Sequence, residues 1–232
     1  MNILAILMAA IAPGLSLLAY FYLKDRYETE PIRVVMKVFI LGALLVIPSM
    51  MLQHVFMEEF GTGSELVFAF GYSGGIEEFL KWFLLYHVIY RNDQFDEPYD
   101  GIVYATAVSL GFATLENIMY ALLNTFTFSA LLIRALLPVS GHALFGVFMG
   151  YYIGKAKFNP DKQRRYMFMA LALPAFWHGL FDYIMMMSKT YWLWFIIPLM
   201  IFLWMRTMWK VERANDRSPL RVLKRDEEVK TG

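Results

Sequence analysis

Glu77 and Glu78 stand side by side, and Lys81 follows at i+4 from the first acid and i+3 from the second, one turn away on a helix. Glu116 with Asn117 comes next, then His142, then His178 and Asp182 at i, i+4. Carboxylate and imidazole suffice to hydrolyse an amide: a glutamate takes a proton from water while an imidazole or a side-chain amide steadies the developing oxyanion. Among the same donors, Glu78, His142, His178 and Asp182 are candidates to hold a divalent metal such as zinc that activates the water. The spacing does not decide between these routes, because no His-Glu-x-x-His segment is present. The preference is for a glutamate-activated water, with no cofactor firmly predicted and a divalent metal kept open. Ser73 precedes two glycines, but no strand leads into it, so a serine nucleophile is disfavoured. The absence of cysteine removes thiol catalysis, disulfides and iron–sulfur clusters.

These groups sit in an apolar chain. Of 232 residues 59% are hydrophobic and 17% aromatic, with a mean hydropathy of +0.47, which places the chain among polytopic membrane proteins. The predicted fold is all-α, a membrane bundle of about seven transmembrane helices over 2–23, 34–57, 65–90, 99–123, 128–154, 166–187 and 191–209, around a polar intramembrane chamber. Residues 1–209 form the membrane domain and 210–232 a basic cytoplasmic tail. The first apolar run lacks a basic leader and is followed by Lys24 and Arg26, which marks a retained span rather than a signal peptide.

Lys and Arg collect after the first span, after the fifth (Lys155, Lys157, Lys162, Arg164, Arg165) and in the tail (Lys210, Arg213, Arg217, Arg221, Lys224, Arg225). The positive-inside rule therefore predicts an outer amino terminus and a cytoplasmic carboxyl terminus. With a net charge of only +1, this unevenness speaks for topology and for contact with membrane lipid, not for nucleic acid. Gly146, Gly150 and Gly154, and likewise Gly71 and Gly75, are expected to let helices approach closely. Pro13, Pro48, Pro138, Pro174 and Pro198 are expected to kink their spans.

An acid at the bilayer centre costs from ~3 to over ~10 kcal/mol and so implies a function. Plainer readings exist. Lys81 can neutralise one glutamate as a packing ion pair, but only one. Glu116 can persist as a protonated packing residue, and Arg134 can snorkel to the outer interface. His54 and His87, near span ends, receive the ordinary reading. At a rise of ~1.5 Å per residue, Glu77, Glu78 and His142 lie roughly 18–21 Å inward from the outer ends of their spans, His178 roughly 14 Å and Glu116 about 10 Å. Four helices can thus bring them to one chamber in the middle to outer half of the membrane.

Taken together, Glu77-Glu78-x-x-Lys81, Phe112-x-x-x-Glu116-Asn117, His142 and His178-x-x-x-Asp182 resemble the PrsW family of intramembrane proteases, distant relatives of the CAAX prenyl proteases and of bacteriocin-processing enzymes. The likeness covers nearly the whole chain, including the segment from Lys24 to Pro31. It implies a multi-pass protease of the bacterial plasma membrane that acts in a stress response. There it would make the first, extracytoplasmic (site-1) cut in a single-span membrane anti-sigma factor, which another protease then degrades further. It also implies that Glu77, Glu78 and His178 are essential, with His142, Glu116 and Asp182 as further candidates and Asn117 as an oxyanion donor. Lys81 and Glu116 stand where the commonest CAAX-type pattern has Arg and His, which argues against prenyl-protein processing. A proton- or cation-coupled transporter would use the same acids as a relay, but no inverted repeat supports it. A non-catalytic scaffold or bacteriocin-resistance protein would keep the chamber for stability alone.

Overall fold

The computed structural model describes residues 3–123, 128–187 and 191–221. The elements are α1 (Ile3–Leu23), α2 (Ile32–Leu44), α3 (Val46–Phe60), α4 (Glu65–Val67), a π-helical turn (Phe68–Ser73) and α5 (Gly74–Val88). They continue with α6 (Asp100–Leu123), α7 (Phe128–Arg134), a second π-helical turn (Ala135–Val139), α8 (Ser140–Lys157), a 3₁₀ turn (Pro160–Lys162), α9 (Gln163–Met187) and α10 (Trp192–Asn215). No strand occurs among the described residues. Six helical stretches among the described residues are long and apolar enough to cross a membrane. The seventh, from α4 to α5, is helical throughout and carries Glu77, Glu78 and Lys81. A helical membrane bundle is therefore what the chain forms. The expected outer connections at 124–127 and 188–190, and Lys224 and Arg225 of the tail, lie outside the described residues.

Helix α6 is the axis. Most of its first fifteen residues are fully buried, because α1, α2 and α8 pack around it. Small residues make this possible: a Cβ on Gly150 would collide with the Gly101 carbonyl, one on Gly154 with the Pro98 carbonyl, and one on Gly146 with Ser109 and the Ala105 carbonyl. The expected glycine face of α8 is thus its contact with α6. Gly71 and Gly75 do not play that part. Nothing lies within 4 Å of a Cβ built on Gly71, and Gly75 meets only the Phe70 carbonyl of the preceding π turn. The neighbouring Gly74 makes the close approach instead, since the wide turn rotates the helix face.

Proline accounts for the break between α2 and α3. Pro48 has no N–H to offer the Leu44 carbonyl, and regular helix lapses at Leu45. Pro138 lies within the second π turn, before α8. At the other end of the chain, α10 runs on to Asn215, and Lys210 is buried rather than part of a free tail. The reason is local: Asn215 accepts from the Arg26 amide at 3.1 Å and donates to the Lys24 carbonyl at 3.2 Å, clamping the helix end to the segment after α1.

That segment meets the loop before α6 in a buried acidic cluster. Glu30 accepts from the Tyr104 hydroxyl, and Asp100 Oδ2 accepts from the amides of Asp96 at 2.9 Å and Glu97 at 2.6 Å. Burial, reinforced by Asp25 and Asp96 nearby, pushes the Glu30 and Glu97 carboxyls up to about 7. Between the ordinary carboxylate range and pH 7 the folded chain holds protons here that the unfolded chain has released. Stability therefore falls as pH rises through that window. Thermal unfolding in detergent should give a lower Tm at pH 8 than at pH 5.5, and the Glu30→Gln/Glu97→Gln variant should show a shallower dependence. Equal slopes would contradict the assignment.

Candidate active site

The polar groups gather where α5, α6, α8 and α9 meet. Their placement starts with the π turn at Phe68–Ser73, a wide turn of the kind found near functional sites. It sets Ser73 and Glu77 on one side of the helix. Just beyond it, Gly74 lies so close to α9 that an added Cβ would stand 2.7 Å from the Gly179 nitrogen and 2.9 Å from the Ala175 carbonyl oxygen. Gly179 in turn abuts Phe70. This contact of two glycines holds α5 against α9 and brings Glu77 and Glu78 to His178. Gly74→Ala is expected to part the helices and lower the activity of the site by ~10–100-fold with helix content retained. Activity within a factor of two of the parent, at equal expression, would show that the contact is dispensable.

Lys81 discriminates between the two acids. Its ammonium donates to Glu78 Oε1 at 2.6 Å and stands 3.6 Å from Glu77 Oε2. It also donates to His142 Nδ1 at 3.0 Å and lies 4.3 Å over the Phe112 ring. Glu78 and Lys81 are both fully buried. Since an ammonium can only donate, His142 Nδ1 must carry its lone pair towards Lys81. The proton then sits on Nε2, facing Glu116 Oε2 at 3.2 Å, so the lone pair that His142 could offer a metal is the one at Nδ1, where an ion would take the place of the Lys81 ammonium.

The second histidine is held from the opposite side. Its Nδ1 lies 2.9 Å from Glu78 Oε1, so Nδ1–H donates to that carboxylate. A neutral His178 then presents the Nε2 lone pair towards Asp182 Oδ2 at 3.4 Å and Glu77 Oε2 at 3.9 Å. Phe145 stacks on the ring at 5.0 Å between centroids, and His142 meets it edge-on at 4.9 Å. Asp182 is fixed by the Ser73 hydroxyl, which donates to Oδ2.

Glu77 is the acid left over. Gln53 of α3 donates to its Oε1 at 3.2 Å, whereas Oε2 is buried without a hydrogen-bond partner. Glu77, His142 and His178 each offer a ligand atom within 4.8 Å of the others. Two histidines and one glutamate form a donor set suited to catalytic zinc. Four carboxylates (Glu77, Glu78, Glu116 and Asp182) also face only two permanent cations (Lys81 and Arg134), a formal excess of two negative charges that a divalent ion would balance. On donor type, orphaned oxygen and charge, the residues fit a metal. The ligand candidates named from the sequence contained Glu78 and Asp182. The geometry instead groups Glu77 with the histidines and places Glu78 behind His178, in the orienting position that a carboxylate takes behind a metal-binding imidazole.

Two further expectations change. Arg134 does not snorkel outward. Its Nε donates to Asn117 Oδ1 at 2.9 Å, a terminal nitrogen lies 3.4 Å from Glu116 Oε1, and the guanidinium stacks 3.9 Å over Tyr120. A carboxylate within reach outweighs the pull of the interface. Asn117, proposed as an oxyanion donor, is fully buried and donates to the Ala10 carbonyl at 3.0 Å while accepting from Arg134. In this arrangement it ties α6 to α1 and aims Arg134. His54 and His87 are exposed, away from the site, as expected of ordinary histidines.

Motif reading passes over Gln53 and gives Ser73 and Arg134 other parts than the ones they take in the site. Ser73 stands at i−4 from Glu77, and Gln53 one turn after Ser49 in an otherwise apolar span, so helical spacing carried a signal for both. Two cavities meet at Glu77 and Glu116. One of about 160 Å³ is lined by both histidines, Ser73, Arg134 and Asp182. The other, of about 200 Å³, is a largely apolar groove bounded by Val46, Ser49, Met50 and Gln53 on one side and Phe112, Met119 and Leu123 on the other.

Comparison with known proteins gives the family. The family model described as PrsW family intramembrane metalloprotease matches residues 30–207. Protease PrsW of Geobacillus kaustophilus (strain HTA426) is 47% identical over 91% of this chain and 92% of its own length. Protease PrsW of Bacillus subtilis (strain 168) is 45% identical over 94% and 99%, and that of Clostridioides difficile (strain 630) 34% identical over 93% of each. No solved structure is significantly similar. With matched relatives along nearly its whole length and a chamber of Glu and His within a helical membrane bundle, the chain belongs to the PrsW family of intramembrane metalloproteases.

Proposed function

We propose that this protease resides in the bacterial plasma membrane with its amino terminus outside, and makes the first, extracytoplasmic (site-1) cut in a single-span membrane anti-sigma factor. The observation that carries the chemistry is Glu77, whose buried Oε2, without a hydrogen-bond partner, stands beside His178 Nε2 at the junction of the two cavities. The substrate class rests on the resemblance of the ordered motifs to the family, and the side of the cut on the charge asymmetry of the loops.

Glu77, His142 and His178 would hold a divalent metal. An ion such as zinc, when bound there, would supply a polarised, acidified water and a Lewis acid for the scissile carbonyl. Lys81 cancels the charge of Glu78, and Glu78 holds the His178 ring so that Nε2 faces the chamber. Asp182, steadied by Ser73, lies within reach of the same imidazole and can accept or return a proton as the peptide bond breaks. Arg134 and Glu116 close the outer side of the chamber, and the Arg134 guanidinium is the cation best placed to steady negative charge there. The apolar groove between α3 and α6 leads from the lipid-facing surface to Glu77 and offers the substrate a way in.

The test is cleavage of a tagged single-span anti-sigma factor by purified protein in proteoliposomes, with fragments sized by mass spectrometry. The expected product is cut in the outer part of the substrate, a metal chelator abolishes the reaction, and about one zinc per chain is retained. His142→Ala and His178→Ala should lose the zinc while staying helical. A cut on the cytoplasmic side overturns the site-1 assignment. Full activity in metal-stripped protein returns the chemistry to a glutamate-activated water.

A further inference from the structure

A separate cavity of about 350 Å³ opens at the other end of the bundle, between the end of α8, the start of α9 and the turn after α10, lined by Lys155, Phe158, Tyr166 and Arg217 among others. Lys155 is thirteen residues beyond His142 along α8, so the cavity lies roughly 20 Å from the active site. Beside it, Lys210 is only 2% exposed. Its ammonium stands 4.5 Å from the ring centroids of both Tyr151 and Tyr152 and donates to the Tyr152 hydroxyl at 3.4 Å. The Lys155 ammonium lies 4.4 Å over Tyr166, and 5.5 Å and 5.8 Å from those same two tyrosines. Two ammonium groups therefore share one aromatic wall, with Arg217 on the cavity lining. Among the described residues no carboxylate forms an ion pair with Lys155, Lys210 or Arg217.

A buried cation next to further cations, with no carboxylate paired to it, is a poor arrangement unless an anion completes it. Rings above the ammonium groups offset only part of the desolvation. We propose that this cavity binds the phosphate of an anionic phospholipid headgroup. The phosphate would bridge Lys155 and Arg217 under the field of Lys210 and accept from the Tyr166 hydroxyl. A lipid fits better than a soluble phosphate for two reasons. The cavity sits at the ends of the spans, where headgroups lie, and basic pockets between transmembrane helices are suited to them. The adjoining face of α10 also exposes Ile197, Ile201, Met205 and Trp209, an apolar track on which acyl chains can lie.

The test uses the full chain in neutral detergent, titrated with phosphatidylglycerol or with phosphatidylcholine, reading thermal unfolding and lipid retention by native mass spectrometry. Phosphatidylglycerol should raise Tm and remain bound, whereas phosphatidylcholine should do neither. Lys155→Ala/Arg217→Ala should weaken the apparent affinity at least ~10-fold, and Arg164→Ala/Arg165→Ala, which removes as much charge from the same end, should change it less than ~2-fold. Equal weakening by the two pairs, or none by the first, overturns the proposal. Millimolar inorganic phosphate that displaces the lipid and gives the same Tm shift alone would make the ligand a soluble phosphate and defeat the lipid assignment. The chain's own Asp226, Glu227 and Glu228 are a competing source of negative charge. If their Asn/Gln substitution lowers Tm and phosphatidylglycerol gives the parent no shift, the cavity serves the tail and the proposal fails.

Discussion

Glu77→Gln should lower kcat/KM for substrate cleavage by ~10²–10⁴-fold while leaving Tm and helix content close to those of the parent. The amide occupies the same volume and can keep the contact with Gln53, so packing is undisturbed. Glu78 remains 2.6 Å from Lys81, so no buried charge loses its partner. What disappears is the negative oxygen that has no hydrogen-bond partner and faces the histidines. Bound zinc, measured by elemental analysis, should fall with activity if Glu77 is a ligand, and should persist if it acts only on the water. Retention of more than a tenth of parental activity would remove Glu77 from the chemistry altogether.

Lys81→Met is the substitution expected to damage the fold most. It leaves Glu78 as an uncompensated carboxylate that is completely buried, and breaking a buried pair from one side costs ~3–5 kcal/mol. It also frees His142 Nδ1 from its donor. The double variant Glu78→Gln/Lys81→Met removes both charges at once and should recover most of the lost stability in a detergent unfolding titration. Its activity should stay low, because a neutral amide orients His178 less firmly than a carboxylate does. If the double variant is no more stable than Lys81→Met alone, the Lys81–Glu78 pair is not the dominant interaction of Lys81, and Glu77 or His142 is.

Both outcomes turn on a distinction that helical spacing leaves undecided. From Lys81, i−4 and i−3 are equally reachable, so the motif announces a balanced acid and a free one without saying which is which. The choice is made by side-chain rotamers and by His178, a hundred residues away in sequence, which meets Glu78 only because Gly74 and Gly179 let α5 and α9 touch. Span positions and the convergence of Glu77, Glu78, Glu116, His142, His178 and Asp182 were legible because charge in an apolar helix has few physical excuses. Arg134 was misread for the same kind of reason as the glutamates were ambiguous. Its distance from the span end permits snorkelling, and only tertiary packing reveals Glu116 and Asn117 within reach. The π turn, which hands the close approach from Gly71 and Gly75 to Gly74, has no motif of its own. Lys210 looked like tail because its charge outweighed the apolar residues around it, yet the aromatic side chains of α8 bury it.

The small inner cavity carries a consequence for what can be cut. Glu77 is buried in the wall of this cavity, and a carbonyl inside a helix is tied to the amide four residues on and sheathed in side chains ~10 Å across. The peptide that reaches Glu77 must therefore arrive unwound, with its own backbone hydrogen bonds already broken. Selection among membrane segments would then depend less on the side chains flanking the scissile bond than on how readily a segment frays, which favours substrates with glycine, proline or polar residues near the bond that is cut.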